Sequence, residues 1–110
     1  WYIHRADGKP MAMAGLWDEW RRPGSDDIPT VSCTIITTES NRQMEPIHAR
    51  MPVILEPEEW RGWLESGNRG AIALLKPARD GVLDLYPVST KVNNPSNSGA
   101  ECIARLPAAT

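Results

Sequence analysis

The stretch Val31–Thr38 constrains the fold of this chain more than any other part of the sequence. Six of its eight residues are β-branched. Such side chains favour an extended backbone because their χ1 rotation is restricted and they pack well on a pleated surface. The sequence therefore predicts a strand here, and a fold that supplies this strand with neighbours.

Short strands are predicted on both sides of this stretch. They lie at Trp1–Arg5, Pro10–Trp17, Pro52–Leu55 and Val82–Val88, with a last one at Cys102–Leu106. The Asp-Gly pair in Ala6–Lys9 is typical of a hairpin turn, so we expect the first two strands to pair with each other. Arg21–Asp27 is polar and turn-rich, which predicts a surface loop.

Helical signals are few and short. Pro57 suits the first position of a helix, and Glu58 and Glu59 favour its N-terminal dipole. Trp60, Trp63 and Leu64 follow with helical spacing and are predicted to face the core, although the two indoles could also stack on bases. Further helical pieces are expected at Ser40–Glu45, ended by Pro46, and at Gly70–Lys76. With 110 residues, the chain is predicted to be one α+β domain with mostly antiparallel strands.

Charge and cysteine content exclude several classes of protein. Twelve basic against fourteen acidic residues give a net charge of -2, which excludes a general histone-type nucleic-acid binder. No apolar run approaches the roughly 18–20 residues of a membrane span. Cys33 and Cys102 form no C-x-x-C pair, so we expect two small buried residues in a reduced, cytoplasmic protein. His4 has no partner at ligand spacing, and neither a metal nor a cofactor is expected.

One predicted loop contains His48 and Arg50, two residues apart, just before the predicted strand Pro52–Leu55. His48 can move protons near neutral pH, and Arg50 presents a fork of donors suited to phosphate. Thr37, at the hydroxyl-rich end of the preceding strand, can complete an anion site. Two structural alternatives stay open: His48 is a hydrogen-bonding residue of the loop, and Arg50 pairs with Glu45.

The run His48-Ala49-Arg50-Met51-Pro52, preceded by Thr37-Thr38-Glu39, resembles the core motif of the SOS-response-associated peptidase family, whose domain is called SRAP. Two further blocks agree in order: Arg5–Pro10 through Ala14–Trp17, and Pro87–Ser89 with Asn97–Glu101. The resemblance implies that residues 1–110 are the C-terminal portion of a single SRAP-like domain, with the N-terminal half as a missing partner.

The resemblance also implies an activity. Members of this family bind single-stranded DNA that carries an abasic site, and an N-terminal cysteine forms a thiazolidine crosslink with the opened sugar. The same cysteine is thought to remove the residues before it, hence the word peptidase. Carried over by position, His48 matches the catalytic histidine, Arg50 the arginine on the DNA backbone, and Thr37 a threonine near the abasic site. A bacterial cytoplasmic protein that associates with the nucleoid DNA is expected.

The sequence departs from the family pattern in what precedes the motif. Neither Cys33 nor Cys102 matches the nucleophile, which is expected before Trp1. Trp17-Asp18-Glu19-Trp20 imitates the glutamate block of the family, but it lies downstream of the expected place, so Glu19 is predicted to be solvated. The chain alone is therefore expected to be inactive. The alternative is a non-catalytic DNA-binding or interaction module, whereas a cysteine protease acting on other proteins lacks its Cys-His-Asn order.

Overall fold

The computed structural model describes residues 1–65, 67 and 69–109. It has a mixed α+β fold in which every strand pair is antiparallel, as predicted. The strands are β1 (Tyr2–Arg5), β2 (Ala12–Met13), β3 (Gly15–Trp20), β4 (Thr30–Ile35), β5 (Thr37–Glu39), β6 (Arg50–Pro52), β7 (Ile54–Leu55) and β8 (Leu83–Tyr86). Helix α1 spans Pro57–Leu64, and 3₁₀ helices span Arg69–Leu74, Thr90–Asn93 and Ala100–Ile103.

The chain divides into two compact units. The first unit contains Trp1–Pro10 and Gly81–Thr110, and the second contains Met11–Asp80. In the first unit β1 pairs with β8, so that His4 lies opposite Asp84. The predicted hairpin between Trp1–Arg5 and Pro10–Trp17 is therefore wrong.

The turn of that predicted hairpin exists even though the hairpin does not. Gly8 adopts a φ of 74°, and its N–H donates to the Arg5 carbonyl over 3.0 Å. Pro10 follows at once, and a proline has no N–H to donate to a ladder with β1. The turn is stabilised by its own polar contacts, and β1 takes its partner from the far end of the sequence.

The second unit is built around a junction of three extended segments. Ala14 N–H donates to Val53 O (2.8 Å), Val53 N–H to Ile36 O (2.9 Å), and Ile36 N–H to Ala14 O (2.9 Å). These three hydrogen bonds form a closed triangle. On either side of it each segment pairs with a different partner, which gives the pairs β2–β7, β3–β4 and β5–β6. The predicted strand Val31–Thr38 is accordingly divided at Ile36 into β4 and β5.

The core of the second unit lies at the same junction. Ala14 and Val53 are completely buried beside Leu55, and the larger side chains of Ile36, Trp63 and Leu74 pack against them. Ala14, the smallest of the three junction residues, leaves room for the neighbouring backbones. Room is also limited at the neighbouring Gly15, because a Cβ atom at this position would approach the Thr34 carbonyl oxygen to 3.1 Å.

Two arms extend from the junction. We call β3 and β4 the ribbon, and β5 and β6 with the intervening residues 40–49 the site arm. All twelve residues of the two ribbon strands are exposed. In the site arm, by contrast, Met51 is buried and its sulfur accepts a hydrogen bond from the buried Asn41 N–H.

Helix α1 begins at Pro57, as its sequence predicts. The Glu56 N–H donates to the Glu59 carboxylate over 2.9 Å, which satisfies a backbone donor at the helix start. Trp63 packs on the core, and its indole N–H donates to the Gly15 carbonyl over 3.1 Å. Trp60 is 42% exposed and Leu64 is 80% exposed, so the expectation that Trp60, Trp63 and Leu64 face the core holds for Trp63 alone.

The C-terminal part of the first unit differs from the prediction. Cys102–Leu106 forms no strand; Cys102 belongs to a 3₁₀ helix, where its N–H donates to the Gly99 carbonyl over 3.1 Å. Gly99 has a φ of 130°, which a residue with a side chain rarely adopts. Cys102 is buried as predicted, whereas Cys33 is exposed because it lies on the ribbon.

Candidate functional site

The site arm brings the predicted residues Arg50 and Thr37 together. Thr37 lies opposite Pro52 and Glu39 lies opposite Arg50, so Thr37 and Arg50 are diagonal neighbours on one face. The Arg50 Nη2 donates to the Thr37 carbonyl over 2.9 Å and to the Thr37 hydroxyl over 3.1 Å. These two bonds fix the guanidinium across the strand pair.

The alternative partner for Arg50 is excluded. Among the described residues no ion pair joins Arg50 to Glu45 or to any other carboxylate. Arg50 and Thr37 are both exposed. A guanidinium that is oriented through one nitrogen keeps its other donors for an anion, and its planar fork suits a phosphate.

His48 is held through one nitrogen of its ring. Its Nδ1 lies 3.0 Å from the backbone N–H of Arg50 and 3.0 Å from the backbone carbonyl of the same residue. Neutral imidazole accepts the first bond with its proton on Nε2, whereas protonated Nδ1 donates to the carbonyl. Nδ1 therefore has a partner in either charge state, and no described residue occupies Nε2 of this exposed ring.

The loop before His48 is ordered by Asn41, which the sequence analysis did not single out. The buried Asn41 side chain accepts from Met44 N–H and donates to the Ala78 carbonyl, each over 3.0 Å. His48 N–H then donates to the Met44 carbonyl over 2.9 Å. The signal was present, because an asparagine that follows a strand and precedes a helical turn is a preferred cap.

The helical turn of this loop runs further than expected. Glu45 N–H donates to Asn41 O over 3.0 Å, and Ile47 N–H donates to Met44 O over 2.8 Å. Pro46 was expected to end the turn, but the turn continues through Ile47. A short turn leaves some N–H groups without partners, so a proline that lacks one is tolerated within it.

Comparison with known proteins places this site in a family. The family model described as "SOS response associated peptidase (SRAP)" matches residues 1–95. The chain belongs to the SRAP family. The identification made from the His48–Pro52 motif is thereby confirmed, and the matched residues include the complete site arm.

Curated relatives of this SRAP chain carry a common description. The chain is 42% identical over 96 residues to the abasic site processing protein YoqW of Bacillus subtilis (strain 168), and this match covers 84% of the chain and 42% of that protein. It is 39% identical over 100 residues to the abasic site processing protein HMCES of Xenopus tropicalis, covering 87% and 29%. The chain thus spans less than half the length of these relatives.

Solved structures agree with the fold. A crystal structure of a protein from Bacteroides thetaiotaomicron is 29% identical and superposes with a TM-score of 0.82, covering 96% of this chain and 47% of that one. A second, from Bordetella bronchiseptica, is 28% identical with a TM-score of 0.64, covering 74% and 41%. The topology described above is therefore shared by longer proteins.

The other histidine of this SRAP chain lies in the first unit and also has partners. His4 Nε2 is 3.1 Å from Asp84 Oδ2, and its Nδ1 is 2.9 Å from the Arg5 carbonyl oxygen. The sequence offered no partner for His4, because Asp84 is 80 residues away in the chain. Among the described residues no group of three or more His, Cys, Asp or Glu side chains could hold a metal ion.

The same unit contains the carboxyl group with a clear pKa shift. The Arg5 guanidinium donates to Asp7, and the Lys9 N–H donates to the same carboxylate, which together lower the pKa of Asp7 to about 2. This group stabilises the turn after β1. Within the described ranges, no helix is both long and apolar enough to cross a membrane.

Proposed function

We propose that this chain is the C-terminal portion of a single SRAP-like domain, and that the complete domain recognises an abasic site in single-stranded DNA and links to it covalently. The family and the relatives' shared description as abasic site processing proteins support DNA as the target. The observation that carries the proposal is the exposed group of His48, Arg50 and Thr37, tied together by hydrogen bonds.

The proposed linkage balances without an oxidant or a metal. The N-terminal amine of a cysteine outside this chain attacks the aldehyde of the ring-opened sugar and expels water, which gives an imine. The thiolate of the same cysteine adds to the imine carbon, and the nitrogen takes up a proton. The product is a five-membered thiazolidine. In the same proposal this cysteine first becomes the N-terminus when the domain removes the residues before it.

His48 supplies the proton transfer in this scheme. With Nδ1 bonded to the backbone of Arg50, Nε2 is the ring atom available to a reacting group. Opening the sugar requires a proton on the ring oxygen as its bond to the anomeric carbon breaks, and the protonated imidazole can donate it from Nε2 while Nδ1–H stays bonded to the Arg50 carbonyl. The anomeric hydroxyl releases its proton to water as its oxygen becomes the aldehyde oxygen. The ring is oriented by the backbone of its own loop, so it needs no second side chain to hold it.

Arg50 and Thr37 position the DNA in this proposal. The guanidinium donors not bonded to Thr37 would pair with backbone phosphates next to the abasic site. These contacts carry no sequence preference, as a protein that detects a missing base requires. The overall charge of -2 gives no general attraction to DNA, so binding depends on such local contacts.

A chimeric protein tests the proposal. This chain replaces the matched stretch of the Bacillus subtilis YoqW protein, and the chimera is incubated with an abasic or an intact single-stranded oligonucleotide. We expect a band on a denaturing gel that migrates as a protein–DNA adduct with the abasic strand only. The 110-residue chain by itself should form no adduct.

Unmodified YoqW and a chimera with its first cysteine replaced by serine serve as controls. A folded chimera that gives no adduct, while YoqW gives one, overturns the proposed chemistry for this chain. An adduct formed by the 110-residue chain alone overturns the assignment of the nucleophile to residues outside it. An adduct of equal yield on the intact strand would show that the abasic sugar is not the target.

A further inference from the structure

We propose that one face of the ribbon is the surface on which the remainder of the SRAP domain docks. The inference rests on the proposal that this chain is one portion of such a domain, and it identifies the surface that completes it. The starting observation is that the ribbon consists of two well-paired strands without a single buried side chain.

The register divides the ribbon into two faces of different chemistry. Trp17 lies opposite Cys33 and Glu19 opposite Val31, and Gly15 lies opposite Ile35. Successive side chains of a strand point to opposite faces, so these six residues share one face. We call it the apolar face, because Trp17, Val31, Cys33 and Ile35 make four of its six residues apolar. The opposite face, which we call the polar face, contains Asp18, Thr30, Ser32 and Thr34 together with two exposed apolar residues, Leu16 and Trp20.

The apolar face exposes side chains that a folded protein normally covers. Trp17 is 70% exposed, and Val31 and Ile35 are each more than half exposed. Contiguous apolar surface of this kind marks a site of interaction. A two-stranded ribbon is also marginally stable by itself and gains stability when one of its faces is packed.

The charge of the ribbon argues against DNA as the occupant of this face. The ribbon and its connecting loop, residues 15–35, contain Asp18, Glu19, Asp26 and Asp27, against Arg21 and Arg22. A surface that tracks a phosphate backbone carries an excess of positive charge. The exposed indole of Trp17 is therefore better suited to packing against protein than to stacking on bases.

The length of the relatives indicates which segment would cover the apolar face. The matched stretch covers 42% of the YoqW protein, and the similar crystal structure from Bacteroides thetaiotaomicron contains more than twice the length of chain that superposes here. More than half of each relative is thus available to cover this face. At the base of the ribbon a groove of about 800 Å³ joins Trp17 of the apolar face to Trp63 and Leu64 of α1, and its lining also includes Leu16 of the polar face and the charged Glu65 and Arg69.

Cys33 allows this inference to be tested without disturbing the fold. It lies on the apolar face opposite Trp17 and is exposed, whereas Cys102 is buried. Ser32 is the adjacent residue of the same strand and lies on the polar face, so C33S/S32C is a matched control. The rate of alkylation of each thiol is followed by peptide mass spectrometry in the 110-residue chain, alone and mixed with the part of YoqW outside the match.

We expect alkylation of Cys33 to slow by about tenfold or more in the complex, which corresponds to roughly 1.4 kcal/mol of protection. The thiol of the S32C control should slow much less. A complex that leaves Cys33 as reactive as before overturns the docking face but not the proposed domain. Equal protection of both thiols overturns the choice of one face.

Two further outcomes address the premise and the rival occupant. If the YoqW part is folded and no complex forms with this chain, the proposal that the chain is a portion of the domain fails together with the docking face. If Cys33 in the chain alone becomes slower to react as protein concentration rises, and light scattering shows a dimer, a second copy covers the face. That result also overturns the inference.

Discussion

The ribbon and the site arm start from the same junction and consist of the same kind of antiparallel pair, yet only one of them buries side chains. In the site arm, Met51 is 1% exposed and Asn41 is buried beneath the loop. In the ribbon, no residue of either strand is buried. Backbone pairing satisfies the hydrogen bonds of both arms, but packing fixes the conformation of the site arm alone.

This difference agrees with the roles proposed for the two arms. His48 and Arg50 precede and begin the strand that contains Met51, so their backbone is anchored by burial while their side chains stay exposed. The proposed reaction with DNA would need fixed geometry at an accessible surface. The ribbon has the accessible surface without the anchoring, as expected of a surface that becomes fixed only when a partner covers it.

Among changes in the two arms, His48→Ala in the site arm of the chimera is expected to have the largest effect, a slower rate of adduct formation. Loss of a general acid typically lowers a rate by ~10²–10⁴-fold. Single-turnover adduct formation at saturating abasic DNA measures the chemical step without a contribution from binding. Arg50 and Thr37 remain, so affinity should be nearly unchanged.

The matched control for this rate is Ile28→Ser, a change at the exposed loop of the ribbon. If His48 only stabilises its loop, the His48→Ala protein loses thermal stability and affinity, yet reacts at the wild-type rate once DNA is saturating. That wild-type rate would remove His48 from the mechanism. Ile28→Ser should leave rate and affinity unchanged.

The next effect concerns stability and contrasts the arms directly. Met51→Ala removes a fully buried side chain and should lower the free energy of unfolding by about 2–5 kcal/mol. Trp17→Ser in the same 110-residue chain removes an exposed side chain and should change it by less than about 0.5 kcal/mol. Urea unfolding of both variants checks the pair. Equal losses would contradict the statement that only the site arm is packed.

Arg50→Ala in the chimera is expected to have a smaller effect, a reduced affinity for single-stranded DNA. Loss of one phosphate contact should weaken binding to single strands of any sequence and reduce the salt dependence by about one unit of slope. Arg50→Lys keeps the positive charge but not the planar fork of donors. Its salt dependence should therefore be closer to that of the unmodified chimera than its affinity for DNA is. Fluorescence anisotropy over a salt titration measures both, and an unchanged slope in Arg50→Ala would make this arginine purely structural.

The smallest effect lies outside both arms, at Asp7. Its pKa is lowered from 3.8 to about 2 by the Arg5 guanidinium and the Lys9 N–H. The ionised carboxylate therefore stabilises the folded chain fully above pH 3.8, and this contribution is lost as the pH falls toward 2. Asp7→Asn should flatten the dependence of stability on pH in that range. Urea midpoints at several pH values that show the same slope in both proteins would contradict this.

Local signals in the sequence were sufficient for much of the fold. Pro57 with its following glutamates predicted the start of α1, and the β-branched residues of Val31–Thr38 predicted extended backbone where β4 and β5 occur. The motif that contains His48 and Arg50 identified the family, and the hydrogen bond from the Arg50 N–H to His48 Nδ1 joins these two motif residues directly. These features depend on neighbours in the chain, which a sequence displays directly.

Partners that are distant in the sequence were decided only by the tertiary structure. The Asp-Gly turn predicted a hairpin, but β1 pairs with β8. This pairing places His4 opposite Asp84, within hydrogen-bond distance. Likewise, Cys33 was expected inside because small apolar residues are often buried, and it is exposed because none of the described residues buries any part of the ribbon strands. Residue type and spacing determine a preference for strand or helix, whereas pairing and burial depend on which distant segments meet.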